Sequence, residues 1–157
     1  MIQLKEVTTE QEYKEDISLF REYAQDLGID LSFQNFEQEL QEITVQYARP
    51  NGALVVAFND CKQPLGCVGV RKLEPKICEL KRMYIKAEAR GKGLGKQLLS
   101  KALVIAKELK YEIMRLDTLG TMDAAMGLYK ITGFYEIPPY RFNPLENARY
   151  FEIQLDA

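Results

Sequence analysis

Histidine and tryptophan are absent from the 157 residues. Without histidine there is no His-based triad, no imidazole general base and no zinc site with histidine ligands. Catalysis falls to Glu, Asp, Tyr, Lys, Cys, Ser or backbone groups. Cysteine is scarce and odd in number (Cys61, Cys67 and Cys78), and no C-x-x-C pair occurs. That excludes a disulfide framework and a cysteine metal cluster, and it fits reduced thiols in the cytoplasm. No apolar run approaches the ~18 residues of a membrane helix. The first residues, MIQLKEVTTEQEYKED, are too acidic for an export or transit leader. We therefore expect a cytoplasmic protein without membrane contact or bound metal. Repeats, low-complexity stretches and linkers are missing too. At 46% apolar and 28% charged residues, the chain suits one globular domain over 1–157.

What is present is unevenly charged. Residues 1–48 hold three basic residues against eleven acidic ones, net −8. Residues 81–101 hold seven basic residues (Lys81, Arg82, Lys86, Arg90, Lys92, Lys96, Lys101) against Glu88 alone, net +6. A short basic stretch in a chain of pI about 5.4 points to a small polyanionic ligand rather than a nucleic acid, which calls for a broad basic face.

Alternation in 1–7 predicts a strand. Thr9 and Glu12 have capping-box spacing for a helix over 9–27, with Ile17, Phe20, Ala24 and Leu27 on one face and Gly28 as its stop. Ser32 can cap a second helix to about Val45. Three strands (53–58, 65–73, 78–86) with short gaps predict an antiparallel meander. A helix over 93–109, a strand over 111–117, a helix over 123–132 and strands over 134–137 and 149–155 follow. The order βααβββαβαββ is a mixed α/β sheet with one parallel crossover.

The segment Ile85–Lys96, IKAEARGKGLGK, leaves a strand and opens a helix. Gly91, Gly93 and Gly95 allow close backbone approach, and the free amides and positive end of the helix favour an anion such as pyrophosphate. A Walker A loop fails, because Gln97 follows Gly95-Lys96 and residue 90 is Arg. A dinucleotide fingerprint fails at its third glycine, where Lys96 stands, although Asp117 occupies the place of a ribose-binding acid. R-x-x-G-x-G fits, as Arg90, Gly93 and Gly95.

With Glu79–Ile85 before it, this loop resembles the acetyl-coenzyme A motif of the GNAT N-acetyltransferases. Ala125–Phe134, AMGLYKITGF, resembles that family's A-x-x-L-Y-x-x-x-G-F segment. The resemblance implies a mostly antiparallel central sheet with one parallel, splayed strand pair. It implies acetyl-CoA as cosubstrate, its pantetheine arm and acetyl carbonyl held by the backbone of Met83, Tyr84 and Ile85. Arg90, Gly91, Lys92, Gly93, Leu94, Gly95 and Lys96 would hold the pyrophosphate. Met122 stands where many members place a coenzyme-contacting Asn. The tail, with Arg141 and Asn143 facing the acceptor or fastening the loop, resembles one bacterial branch. Members often form homodimers.

The acceptor implied is an amine of a small molecule or a protein, and the acidic N-terminal region favours a cationic one. Glu79 is the candidate base, its pKa expected to rise through partial burial, with an ion pair to Lys81 or Arg82 as the competing role. Tyr129 is the candidate acid, with Leu128 packing inward and Tyr129 turned to the cleft. Cys67 and Cys78 read as buried structural thiols rather than acyl carriers. The alternative to an enzyme is a non-catalytic acyl-CoA-binding sensor or partner module, which needs neither Glu79 nor Tyr129.

Overall fold

The computed structural model describes residues 2–27, 36–119, 123–141 and 147–155. Strand β1 (Gln3–Glu6) leads into helix α1 (Glu10–Leu27) through the predicted capping box. Thr9 Oγ1 accepts the Glu12 amide at 3.2 Å, and Glu12 Oε1 accepts the Thr9 amide at 3.1 Å. Glu12 also pairs with Lys5, which ties strand to helix. The predicted second helix arrives as two pieces, α2 (Phe36–Gln41) and α3 (Ile43–Gln46). The chain tightens at Glu42, whose carbonyl accepts the Val45 amide three residues on at 2.9 Å. The expected Gly28 stop and Ser32 cap lie outside the described residues.

Strands β2 (Ala53–Phe58), β3 (Pro64–Glu74) and β4 (Ile77–Ile85) form the antiparallel meander. A 3-10 turn at Ala87–Ala89 precedes α4 (Leu94–Glu108), β5 (Ile113–Leu119), α5 (Asp123–Thr132), β6 (Tyr135–Ile137) and β7 (Ala148–Gln154). The seven strands run in the order β1-β2-β3-β4-β5-β7-β6, and only β4 and β5 pair in parallel. Strand β5 begins two residues later than the spacing suggests. Lys110 closes α4 in the left-handed region at φ 72°. Tyr111 is then drawn away from the strand, its hydroxyl donating to the Asn51 carbonyl at 2.5 Å.

Both faces of the sheet are covered, so β2 reads as an unbroken apolar run. Val55, Val68, Val70 and Leu80 pack beneath Leu98, Leu99, Ala102 and Ile105 of α4. Leu54, Val56 and Cys67 face Leu19 and Phe20 of α1, Leu40 of α2 and Ile43 of α3. Among the described residues no helix is long and apolar enough to cross a membrane.

One acid interrupts the second core. Asp16 of α1 is fully buried, and neither carboxyl oxygen meets a hydrogen-bond donor within normal distance among the described residues. The neighbouring Cys67 thiol donates instead to the Arg82 carbonyl, at 3.3 Å. Burial raises the Asp16 pKa from its ordinary 3.8 to about 8, against a smaller lowering by Cys67. Above pH 3.8 the unfolded chain releases this proton while the folded chain keeps it up to about 8. Stability therefore falls as pH rises through that window, by about 1.4 kcal/mol per pH unit. With no histidine in the chain, this acid dominates the side-chain titration between about pH 5.5 and 7.5. Denaturant titrations should show wild-type stability dropping across that interval and Asp16→Asn nearly flat. Parallel slopes in the two proteins would mean that Asp16 is ionised in the fold.

Candidate functional site

Strands β4 and β5 pair only at Ile77–Ile113, Cys78–Met114 and Glu79–Arg115. Beyond Glu79 both strands continue, to Ile85 and Leu119, without pairing. A gap therefore opens between them, and its unpaired backbone groups are available to a ligand. A bulge shapes the β4 side. Cys67 and Gly69 of β3 oppose Tyr84 and Lys81, so one extra residue enters β4, and Arg82 sits at φ 56°.

A left-handed arginine must be held in place by its surroundings. Its guanidinium donates to both oxygens of Glu39, at 3.1 and 2.8 Å, and both residues are buried. The Tyr47 hydroxyl adds a bond to Glu39 at 2.7 Å, and Arg71 stands 3.5 Å away. Burial alone would raise the Glu39 carboxyl, but Arg82, Arg71 and Tyr47 together hold it below its ordinary pKa.

At the end of β4 the chain enters the glycine turn. Gly91 and Gly93 adopt φ 79° and 77°. Gly93 is the N-cap of α4 and makes no side-chain cap bond. The amides of Leu94, Gly95 and Lys96, in the first turn of α4, have no partner within the helix and face the turn. Gly95 is needed for closeness, since a Cβ there would lie 3.2 Å from Ile85 Cδ1 and 3.5 Å from Leu128 Cδ2.

A cleft of about 790 Å³ runs along these elements. Met83, Tyr84, Ile85, Arg90, Gly91, Gly93, Leu94 and Gly95 line it, joined by Tyr23 and Asp26 of α1 and by Ala124, Ala125 and Leu128 of α5. The structure thus brings together eight of the ten residues proposed from the motif. Lys96 is exposed nearby, while Lys92 lines a separate cleft with Glu88 and Asp60. Arg90 braces the turn, its Nε donating to the Ile85 carbonyl at 2.9 Å and its guanidinium lying 3.4 Å from Asp26. The Tyr84 hydroxyl donates to Glu22 at 2.6 Å or Asp26 at 2.7 Å, which anchors α1 to the same strand end.

Two sequence expectations are corrected here. Glu79 is fully buried at the last rung of the parallel pair. Its Oε1 accepts from Arg71 at 3.1 Å, and its Oε2 accepts from the Tyr140 hydroxyl at 2.7 Å and from Arg141. Burial would raise its pKa, but the charges of Lys81, Arg141 and Arg71 and the Tyr140 bond outweigh it and hold the carboxyl at about 2. The expected upward shift is therefore reversed. Its hydrogen-bonded cations are Arg71 and Arg141, whereas Arg82 belongs to Glu39. Arg141 fastens the loop after β6; Asn143, like Met122, lies outside the described residues.

The second correction concerns α5. Leu128 lines the cleft, while Tyr129 packs into the core, with ring centroids 5.6 Å from Phe134 and 6.5 Å from Phe151. The helix is turned by one position relative to the expectation, because the larger aromatic surface is buried against β7 and the leucine closes on Gly95. Burial, followed by the fields of Tyr23 and Asp117, raises the Tyr129 pKa well above the usual phenol value. Tyr129 thus keeps its proton, and its polar end senses both the cleft and the gap.

Lys81 and Asp117, which the sequence did not suggest as a pair, face each other across that gap at 3.8 Å. The signal for Lys81 was two consecutive cations, Lys81-Arg82, inside an otherwise apolar strand, where alternation cannot place both in solvent. Burial lowers the Lys81 pKa to about 8, despite opposition from Glu79. Cys67 and Cys78 are buried, with the Cys78 thiol pushed up to about 12 by desolvation, so neither is an activated nucleophile.

A family model described as the acetyltransferase (GNAT) family matches residues 15–134. An uncharacterised N-acetyltransferase of Schizosaccharomyces pombe is 39% identical over 138 residues, covering 87% of this chain and 85% of its own. One from Dictyostelium discoideum is 32% identical, covering 82% of this chain and 88% of its own. The crystal structure of a GNAT-family acetyltransferase from Staphylococcus aureus shares the fold, at TM-score 0.82 and 24% identity, with 99% of this chain and 100% of that one aligned. The sequence match runs across most of the domain that carries the splayed parallel pair, the bulged β4 and the glycine turn, and the chain belongs to the GNAT family of acetyltransferases, whose chemistry is acyl transfer.

Proposed function

We propose that this protein transfers an acetyl group from acetyl-CoA directly to the amine of a small molecule or a protein. The observation that carries the reading is the cleft that joins the unpaired end of β4 to the glycine turn. Amides of Leu94, Gly95 and Lys96, with the nearby Lys96 charge, suit a pyrophosphate. The edge of Met83–Ile85 suits the two amides of a pantetheine arm, as an added strand would. The bulge aims backbone N–H groups at a thioester carbonyl, where a developing oxyanion needs them. Tyr129 donates the proton to the departing thiolate. Glu79 acts as a fixed charge that positions Tyr140 and Arg141 over the acceptor side, and its low pKa argues against a base role.

Gly93→Val tests the coenzyme site. A β-branched residue at φ 77° is strained, and its Cβ would stand in open space at the turn, where the phosphates would lie. Calorimetry should show CoA binding weakened at least about tenfold, a 1.4 kcal/mol loss. Binding to the wild type should itself weaken with added salt. Unchanged CoA affinity in the variant would place the coenzyme elsewhere.

A further inference from the structure

Asp117 is more than nine-tenths buried, and its Oδ2 has no hydrogen-bond partner among the described residues. Leaving a buried carboxylate oxygen unmatched is costly, and such exceptions call for a reason. Its position supplies one. Asp117 lies on β5 two residues beyond Arg115, the last rung, and Lys81 lies on β4 two residues beyond Glu79. The pair therefore spans the mouth of the gap, on the α1 side of the sheet. Lys81 faces Oδ1, and no group of the described residues meets Oδ2, which leaves that oxygen open to a ligand's donor.

The groups around Asp117 come from four elements. Tyr23 of α1, Lys81 of β4, Tyr129 of α5 and Tyr140 of the loop after β6 all feel its charge. Tyr23 lines the coenzyme cleft, and Tyr140 is bonded to Glu79. Asp117 thus sits where the cleft and the acceptor side meet. Glu79 is already saturated by two arginines and a tyrosine.

We infer that Asp117 Oδ2 receives the ammonium of the acceptor and removes its proton. The inference rests on the acetyl-transfer reading above. An ammonium donates naturally to a carboxylate oxygen, and the charge-assisted bond is a strong one. The acceptor ammonium gives one proton to Oδ2, which passes it to solvent. The freed nitrogen lone pair forms the bond to the acetyl carbon, and the carbon–sulfur bond breaks. The second nitrogen proton is released to solvent as the amide forms, and Tyr129, having given its proton to the CoA thiolate, takes one back from solvent. Lys81, 3.8 Å from Oδ1, keeps Asp117 in position between turnovers.

The test compares wild type with Asp117→Asn and Asp117→Ser. Each is given acetyl-CoA with spermidine, free amino acids and a peptide bearing a free N-terminus and a lysine. Thiol release, mass of the acetylated product, acetyl-CoA affinity and melting temperature are read together. At least one folded variant should bind acetyl-CoA as the wild type does. Its kcat/KM should fall by roughly 10²–10⁴-fold. The deficit should shrink as pH rises and the acceptor deprotonates unaided, a change that a packing role does not produce. Loss of less than about threefold in kcat/KM, or an equal loss at every pH, would overturn the assignment of Asp117. A wild type that binds acetyl-CoA but acetylates none of these amines would overturn the transfer reading, and the inference with it.

Discussion

Glu39→Ala is expected to lower folding stability by about 3–5 kcal/mol, because it removes the carboxylate that meets the buried Arg82 and takes one partner from the half-buried Arg71. Arg82 would lose both of its guanidinium bonds to Glu39, and Arg71 would keep only Glu79 and Gln46. For a chain of this size, that corresponds to a fall in melting temperature of roughly 6–20 °C. The loss also reaches the candidate site, since the Arg82 side chain fixes the left-handed bulge beside the cleft. Glu39→Leu combined with Arg82→Leu should recover part of the stability but not the bulge, so turnover should stay low in the double variant. Calorimetric melting of the single and double variants checks this. A single-variant loss under about 1 kcal/mol would mean that water replaces the carboxylate, and that the bulge is held by the strand pairing alone.

Tyr129→Phe is expected to keep the fold and CoA affinity while turnover drops by roughly 10–10⁴-fold, the upper part being typical of general-acid loss. The ring contacts with Phe134 and Phe151 survive the change, so packing survives with them. What disappears is a phenol proton held firmly by burial and by the fields of Tyr23 and Asp117. Steady-state kcat measured beside the melting temperature separates the roles. Near-normal kcat would leave Tyr129 as a core aromatic and hand the proton to a water.

The legible parts of this chain were those written in local spacing. The T-x-x-E cap, the antiparallel meander and the glycine turn each follow from residues a few positions apart. The turn located most of the cleft's lining for the same reason: backbone geometry after a strand depends little on distant partners. The electrostatics were not legible. Glu39 and Arg82 lie 43 positions apart, and Glu79 is met by Tyr140 and Arg141 more than 60 positions away. Strand position alone suggested a half-solvated Glu79 with a raised pKa, whereas the loop after β6 covers it with cationic and hydroxyl donors. Asp16 stands one helical turn before Leu19 and Phe20, at a core position, but its charge argued for the surface. In α5 the sequence AAMGLYKI offers apolar residues all round. The face could not be chosen, and Ile131 ends up exposed while Tyr129 is buried.

The central claim is that the unpaired end of β4 and the glycine turn form one binding surface for acetyl-CoA. Titrating acetyl-CoA into isotope-labelled protein and following the backbone amide resonances tests it most directly. The largest shifts should fall on Met83, Tyr84 and Ile85 and on Gly91 through Lys96, with Leu128 following. Shifts confined to the far edge of the sheet, around β1 or β6, or no shifts at saturating coenzyme, would contradict the account.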